Sequence, residues 1–298
     1  MISKTIKRFL RTLYWKLLIT KWNHKKNVIF IEACIKYNRH QLNKSNWGDD
    51  LNYFFFNEYC ENKFVPIPYS YLFGKREQHY LLIGSIITFF NLNNTVIYGT
   101  GIQYPKDKIT GIPDKIISVR GPRTRSVLLE KGIQCPEVYG DPALLLPMFY
   151  QPKISHREGI TIIPNEGTLR EHKDHVISEI TEKYDCRFLN MMKYDRWQDV
   201  IDTICSSELV VSESLHGLIV AETYGIPSIW CEFIEHPKDW DFKFLDFYES
   251  IGKYDQKIKQ IYNVKQYEQV TSMEPQWEKG NIDYEGMLKV FPFKIKAK

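Results

Sequence analysis

The sequence predicts an α/β protein made of two Rossmann-like domains facing a cleft, and three observations carry this. Short apolar runs rich in β-branched residues alternate with stretches of helical periodicity along most of the 298 residues. The apolar runs show no in–out alternation, as expected of parallel strands covered by helices on both faces. The alternation breaks at residues 147–158 (PMFYQPKISHRE), where two prolines and mixed charges read as a linker, and then restarts. A chain of this length exceeds one average domain and suits two. The expected division is a basic amphipathic helix over residues 1–26, a first domain over 27–150, and a second over 151–298 that ends in a helical tail. Ligands in such sheets bind beyond the carboxyl ends of the strands, so the cleft is the expected site.

Within residues 2–22, Ile2, Ile6, Phe9, Leu10, Leu13 and Leu17 follow helical spacing, while Lys4, Lys7, Arg8 and Arg11 fall largely outside that stripe. Trp15 and Trp22 suit a lipid headgroup boundary, so this helix fits peripheral contact with an anionic membrane; packing on the protein body is the equal alternative. Residues 27–33 (NVIFIEA) read as a buried strand, and 51–60 as a helix after a polar loop. Strands follow at 79–87, 95–98 and 115–119. The next helix has Pro122 near its first position and Gly132 just past its end. Beyond the linker come a strand at 159–164, a helix at 171–184, a strand at 187–189, a helix at 197–206 and a strand at 209–211. A helix then runs to Gly225, with Pro227 two residues later, and leads into a strand at 227–230. Helical stretches fill the tail from about residue 240.

Composition narrows the function. A net charge of +4 is too small for nucleic acid as a whole-surface partner. No run of 18 apolar residues is present to span a membrane, and the basic N-terminus lacks the clean apolar core of a secretory signal. The six cysteines are scattered, which suggests no zinc site or disulfide framework and fits reduced thiols in a cytoplasmic protein. The 19 tyrosines offer surfaces on which sugars stack.

Four segments place polar residues at strand ends or helix starts. Asn46, Gly48 and Asp49 precede the first-domain helix; Asp49 either caps it or orients a hydroxyl. Gly99, Thr100 and Gly101 follow strand 95–98 and allow close backbone approach to a ligand. Arg120, Arg123 and Arg125 cluster at a helix N-terminus, where cations oppose the helix dipole unless an anion is bound. Guanidinium forks suit phosphate or carboxylate, so this reads as an anion site. Ser212, Ser214, Leu215, His216 and Gly217 form a strand-to-helix turn, with His216 in the first helical turn at the cleft mouth. There a bound phosphate would raise an imidazole pKa that the helix N-terminus lowers.

Taken together, NWGDDLN, IYGTGI, SVRGPRTRSVLLEKGI, YGDPALLLP and VVSESLHGLIVAETYGIPSI, in this order between residues 46 and 231, resemble the polysaccharide pyruvyl transferase family, especially its exopolysaccharide and capsule branch. The resemblance implies a GT-B-like fold, phosphoenolpyruvate as donor substrate with no further cofactor, and a cyclic pyruvate ketal as product. It also implies a glycan acceptor, lipid-linked in this setting. His216 matches the histidine of the family's Leu-His-Gly motif, and Arg120 the arginine after the middle strand of its first half; both are implicated there in donor binding and proton transfer. Many members have arginine directly before Leu-His, where this chain has Ser214. The expected chemistry has His216 protonating the donor's methylene carbon while arginines hold the anion, with Asp49, Asp141 or Glu222 as the acceptor-side base and no metal. Two rivals predict different ligands: a nucleotide-sugar glycosyltransferase on the same plan, and a non-catalytic glycan-binding protein.

Overall fold

The computed structural model describes Leu13, Leu17 and residues 27–38, 41–67, 77–170, 175–272 and 277–297. The expected N-terminal amphipathic helix, with its membrane contact, lies outside the described residues apart from those two leucines. Among the described residues, no helix is long and apolar enough to cross a membrane.

The first sheet is fully parallel. It contains β1 (Val28–Ile31), β4 (Lys63–Pro66), β5 (His79–Leu81), β6 (Thr95–Tyr98) and β7 (Lys115–Ser118), in the order β4-β1-β5-β6-β7. A hairpin of β2 (Lys36–Asn38) and β3 (Gln41–Asn43) occupies part of what the sequence suggests is loop. Helix α1 (Trp47–Tyr59) connects β1 to β4, and α2 (Pro122–Glu130) follows β7. The edge strand β4 is not among the expected strands: Lys63 and Pro66 dilute its apolar run, and proline is tolerated only where a strand is unpaired on one side. Strand β5 is shorter than expected, because the chain turns into a left-handed Gly84 (φ 114°).

The second sheet repeats the plan with β8 (Ile160–Ile163), β9 (Cys186–Phe188), β10 (Leu209–Ser212), β11 (Ser228–Glu232) and β12 (Lys259–Gln260), in the order β12-β11-β10-β8-β9. The start of the expected linker is a helical turn, α3 (Leu146–Phe149). A short helix, α4 (Glu166–Arg170), precedes the one expected at 171–184, which is described as α5 (His175–Lys183). Helix α6 (Trp197–Cys205) precedes β10, and α7 (Leu215–Tyr224) follows it, ending on Gly225 in the left-handed region (φ 70°). The tail forms α8 (Phe242–Ser250), α9 (Val264–Ser272) and α10 (Tyr284–Lys289).

Both sheets wind outward from their first strand in two directions. Each therefore has a point where neighbouring connections diverge: between β1 and β5 in one, and between β8 and β10 in the other. One apolar core runs through both halves, from Ile31, Phe55 and Tyr98 to Ile163, Val210 and Trp230. The tail returns to the first half, where Phe293 packs edge-on against Phe64 at 4.7 Å and Tyr98 Oη donates to the Met287 carbonyl (3.2 Å). The halves are also pinned near α1: the Trp47 indole donates to the Trp197 carbonyl at 2.7 Å, and the Tyr194 hydroxyl to Asp50 at 2.7 Å.

Candidate active site

Both divergence points open into one cavity of about 920 Å³. Cys34 and Gly84, beyond β1 and β5, line it from one side; Asn165 and His216, beyond β8 and β10, line it from the other. The physical cause is general: where adjacent connections leave a sheet in opposite directions, no helix covers the strand ends, and a crevice remains.

His216 is the second residue of α7. Ser214 caps that helix, its side chain accepting from Gly217 N, and Ser212 Oγ braces the turn by accepting from Ser214 N at 3.0 Å. From the first half, α1 brings Gly48 against the imidazole. A Cβ on Gly48 would lie 2.0 Å from His216 Nδ1, so only glycine admits the ring. His216 Nε2 is buried without a hydrogen bond and stands 4.0 Å from Asp141 Oδ2. Burial, then the charges of Arg120 and Lys243, push its pKa down to about 3, so the ring is neutral at physiological pH. Gly48→Ala should displace this ring while alanine itself favours the helix; activity is expected to fall about 100-fold, with unchanged far-ultraviolet circular dichroism. Wild-type turnover in that variant would show that the ring's position is unimportant.

The arginine cluster requires a correction. The anion that the helix N-terminus calls for is supplied by the chain itself, from α8. Arg120 is fully buried, its Nε donating to Asp246 at 2.9 Å and its Nη2 to the Ile102 carbonyl at 2.7 Å, with Ser85 Oγ as a third partner. Asp246 also accepts from Thr124 N (2.8 Å) and Thr124 Oγ1 (2.7 Å), capping α2. Arg123 pairs with Glu249 at 2.7 Å, and Arg125 donates to the Cys135 carbonyl. None of the three lines the cavity. Arg120 still acts on it at one remove, adding to the burial that lowers the His216 pKa and opposing the burial that raises that of Asp141.

Among the remaining residues that the sequence places at strand ends and helix starts, Asn46, Asp49, Ser214 and Leu215 line the cavity. Asn46 caps α1 and donates to Glu166 at 2.7 Å. Burial and the neighbouring Glu166 raise the Asp49 pKa to about 8, so it holds a proton at neutral pH and suits a donor better than a base. Gly99, Thr100 and Gly101 lie behind the cavity wall. Thr100 is buried and donates to the Gly84 carbonyl, Gly99 (φ 78°) lets Pro142 approach, and Gly101 makes room for the Arg120 guanidinium. Gly217 likewise admits the Ser212 hydroxyl. Asp141 caps the turn at Pro142–Leu145, its pKa raised by burial to about 6. Glu222, weighed as a base, faces elsewhere and is bound to Lys253 at 2.9 Å.

Two further residues of the cavity leave little trace in the sequence. Lys243 projects from α8 into the cavity, where its ammonium lies 5.3 Å from the Trp240 ring centroid and makes no direct ion pair among the described residues, with Asp49, Glu213 and Glu166 acting on it from farther away. Burial, then Arg120, lowers its pKa to about 8. Its only sequence signal is a lysine set between two core phenylalanines, Phe242 and Phe244. The second is His236, whose Nε2 lies 2.7 Å from the buried carboxylate of Glu213.

A family model described as polysaccharide pyruvyl transferase matches residues 15–233. The chain is 30% identical over 216 residues to an uncharacterised protein of Acanthamoeba polyphaga mimivirus, covering 70% of this chain and 71% of that protein. It is also similar to a crystal structure of a functionally uncharacterised Klebsiella pneumoniae protein, at 14% identity and a TM-score of 0.44, over 87% of this chain and 99% of that one. A family match over most of the chain, on residues that include the whole of α1, α2 and α7, leads to one conclusion: this chain belongs to the polysaccharide pyruvyl transferase family.

Proposed function

We propose that the chain transfers the pyruvyl group of phosphoenolpyruvate to a sugar of a capsular or exopolysaccharide repeat unit, closing a cyclic ketal and releasing phosphate. The observation that carries this is Lys243, a half-buried ammonium with no direct ion pair among the described residues, felt by Asp49, Glu213 and Glu166 only from a distance, sharing a cavity with the bare Nε2 of His216. A partly desolvated cation without a close counter-ion favours an arriving anion. Phosphoenolpyruvate brings phosphate and carboxylate on three carbons, a size that leaves most of the cavity for a sugar. Tyr104, Phe89 and Trp240 line the same cavity and offer faces for sugar rings. The two parallel sheets meeting at one cavity support a GT-B-like reading, divided near residue 150. A lipid-linked acceptor at the inner membrane face suits the basic residues 1–26 of the sequence.

In this scheme the incoming anion offsets the charges of Lys243 and Arg120 that hold the His216 proton off. The imidazole gains a proton and passes it to the methylene carbon, while Lys243 stabilises the departing phosphate. The direct test is phosphate release from phosphoenolpyruvate with a lipid-linked repeat unit, together with mass spectrometry of the acceptor. Thermal stabilisation by nucleotide sugars, without any by phosphoenolpyruvate, would overturn the reading. Lys243→Met should raise the donor KM about 10- to 100-fold, the value of one charge-assisted contact. For the wild type, the donor KM should climb as pH passes about 8, where the free ammonium loses its proton. A KM unaffected by both changes would remove Lys243 from the donor site.

A further inference from the structure

We infer that His236, oriented by Glu213, is the base that takes the acceptor's hydroxyl protons, a role that rests on the pyruvyl-transfer reading above. The juxtaposition is unusually well built. Glu213 follows β10 and is fully buried. Its Oε2 accepts from Asn165 N at 2.9 Å and Thr168 Oγ1 at 2.8 Å, and its Oε1 from Phe233 N at 3.0 Å. These bonds leave the carboxylate no freedom to turn. Oε1 also meets His236 Nε2 at 2.7 Å. The imidazole lies flat on the Trp240 indole, with centroids 3.7 Å apart and planes 8° apart, so both its tilt and its rotation are set.

Chemistry follows from this geometry. With Nε2–H donating to Glu213, the neutral ring presents its lone pair at Nδ1. Nδ1 has no hydrogen-bond partner among the described residues, and His236 itself lines the cavity. A carboxylate that holds one imidazole nitrogen fixes the tautomer and stabilises the imidazolium once a proton is taken. The other candidate bases are weaker: Glu222 lies elsewhere, Asp141 caps the Pro142 turn and does not line the cavity, and Asp49 already carries a proton at neutral pH.

As the first sugar O–H bond breaks, its proton passes to His236 Nδ1 and the oxygen bonds to C2 of the donor, while His216 protonates C3. His236 then gives that proton to the phosphate as the C2–O bond to phosphate breaks with its electron pair, and takes the proton of the second hydroxyl as that O–H bond breaks and its oxygen bonds to C2. Of the two hydroxyl protons, one leaves on hydrogen phosphate and the other restores His216 through solvent. His236 is thus a catalytic residue and Glu213 a positioning residue.

The test uses the full chain with phosphoenolpyruvate and a lipid-linked acceptor. His236→Phe keeps a flat ring against Trp240 but removes the lone pair. It should lower kcat for phosphate release at least about 100-fold while leaving donor KM close to wild type. His236→Ala should lose as much and recover part of it with added imidazole, a response that a purely structural role would not produce. Wild-type kcat in His236→Phe, or an alanine variant indifferent to imidazole, overturns the assignment while leaving the pyruvyl-transfer reading intact. A wild-type protein that releases no phosphate from phosphoenolpyruvate overturns both.

Discussion

His216→Gln is expected to lower phosphate release from phosphoenolpyruvate by about 10²- to 10⁴-fold, the usual span for losing a positioned proton donor. Glutamine keeps polar bulk beside Gly48 but cannot carry the proton, so the melting temperature should change little. The sign of the linked proton effect follows from the charges around the ring. Burial, Arg120 and Lys243 hold the His216 pKa down to about 3, so at neutral pH the free protein has no proton there. An anionic donor raises that pKa, so binding should draw protons from solution. Calorimetric titration in two buffers of different ionisation enthalpy would reveal this uptake, and His216→Gln should abolish it. If instead His216→Gln turns over normally and Asp49→Asn does not, the protonated carboxyl of Asp49 is the acid.

Arg120→Met should destabilise the protein by about 3–5 kcal/mol, because it leaves a fully buried carboxylate, Asp246, without its cation. The loss is measurable by equilibrium denaturation. Adding Asp246→Asn should recover part of it, since the two residues form one unit and their effects should not add. Donor KM should change much less than in Lys243→Met, because Arg120 does not line the cavity. A stable Arg120→Met variant with a large rise in donor KM would show the guanidinium swinging out to the ligand. The same pairing explains why Gly121 tolerates no side chain: a Cβ there would lie 1.9 Å from the Asp246 carbonyl oxygen.

These contrasts show how far local pattern reaches. The strands at Thr95–Tyr98, Ile160–Ile163 and Leu209–Ser212 are legible because each is an apolar run bounded by turn residues, and the helix before Gly225 because its glycine and following proline mark a helix end. The position of His216 is legible too, as a strand-to-helix turn is where such sheets bind ligands. Strand β12, two exposed residues, carries no such pattern; it exists because β11 offers an edge.

The sequence alone determined the alternating α/β plan, the family, and the presence of an imidazole on the turn after β10, because those depend on residues within a few positions of one another. Only the tertiary structure decided which charges meet. Arg120 and Asp246 are 126 positions apart, and Glu213 and His236 are 23 apart on opposite sides of a helix and a strand. Whether a cation is neutralised by its own chain or left for a ligand depends on such distant pairings, and neither periodicity nor capping signals record them.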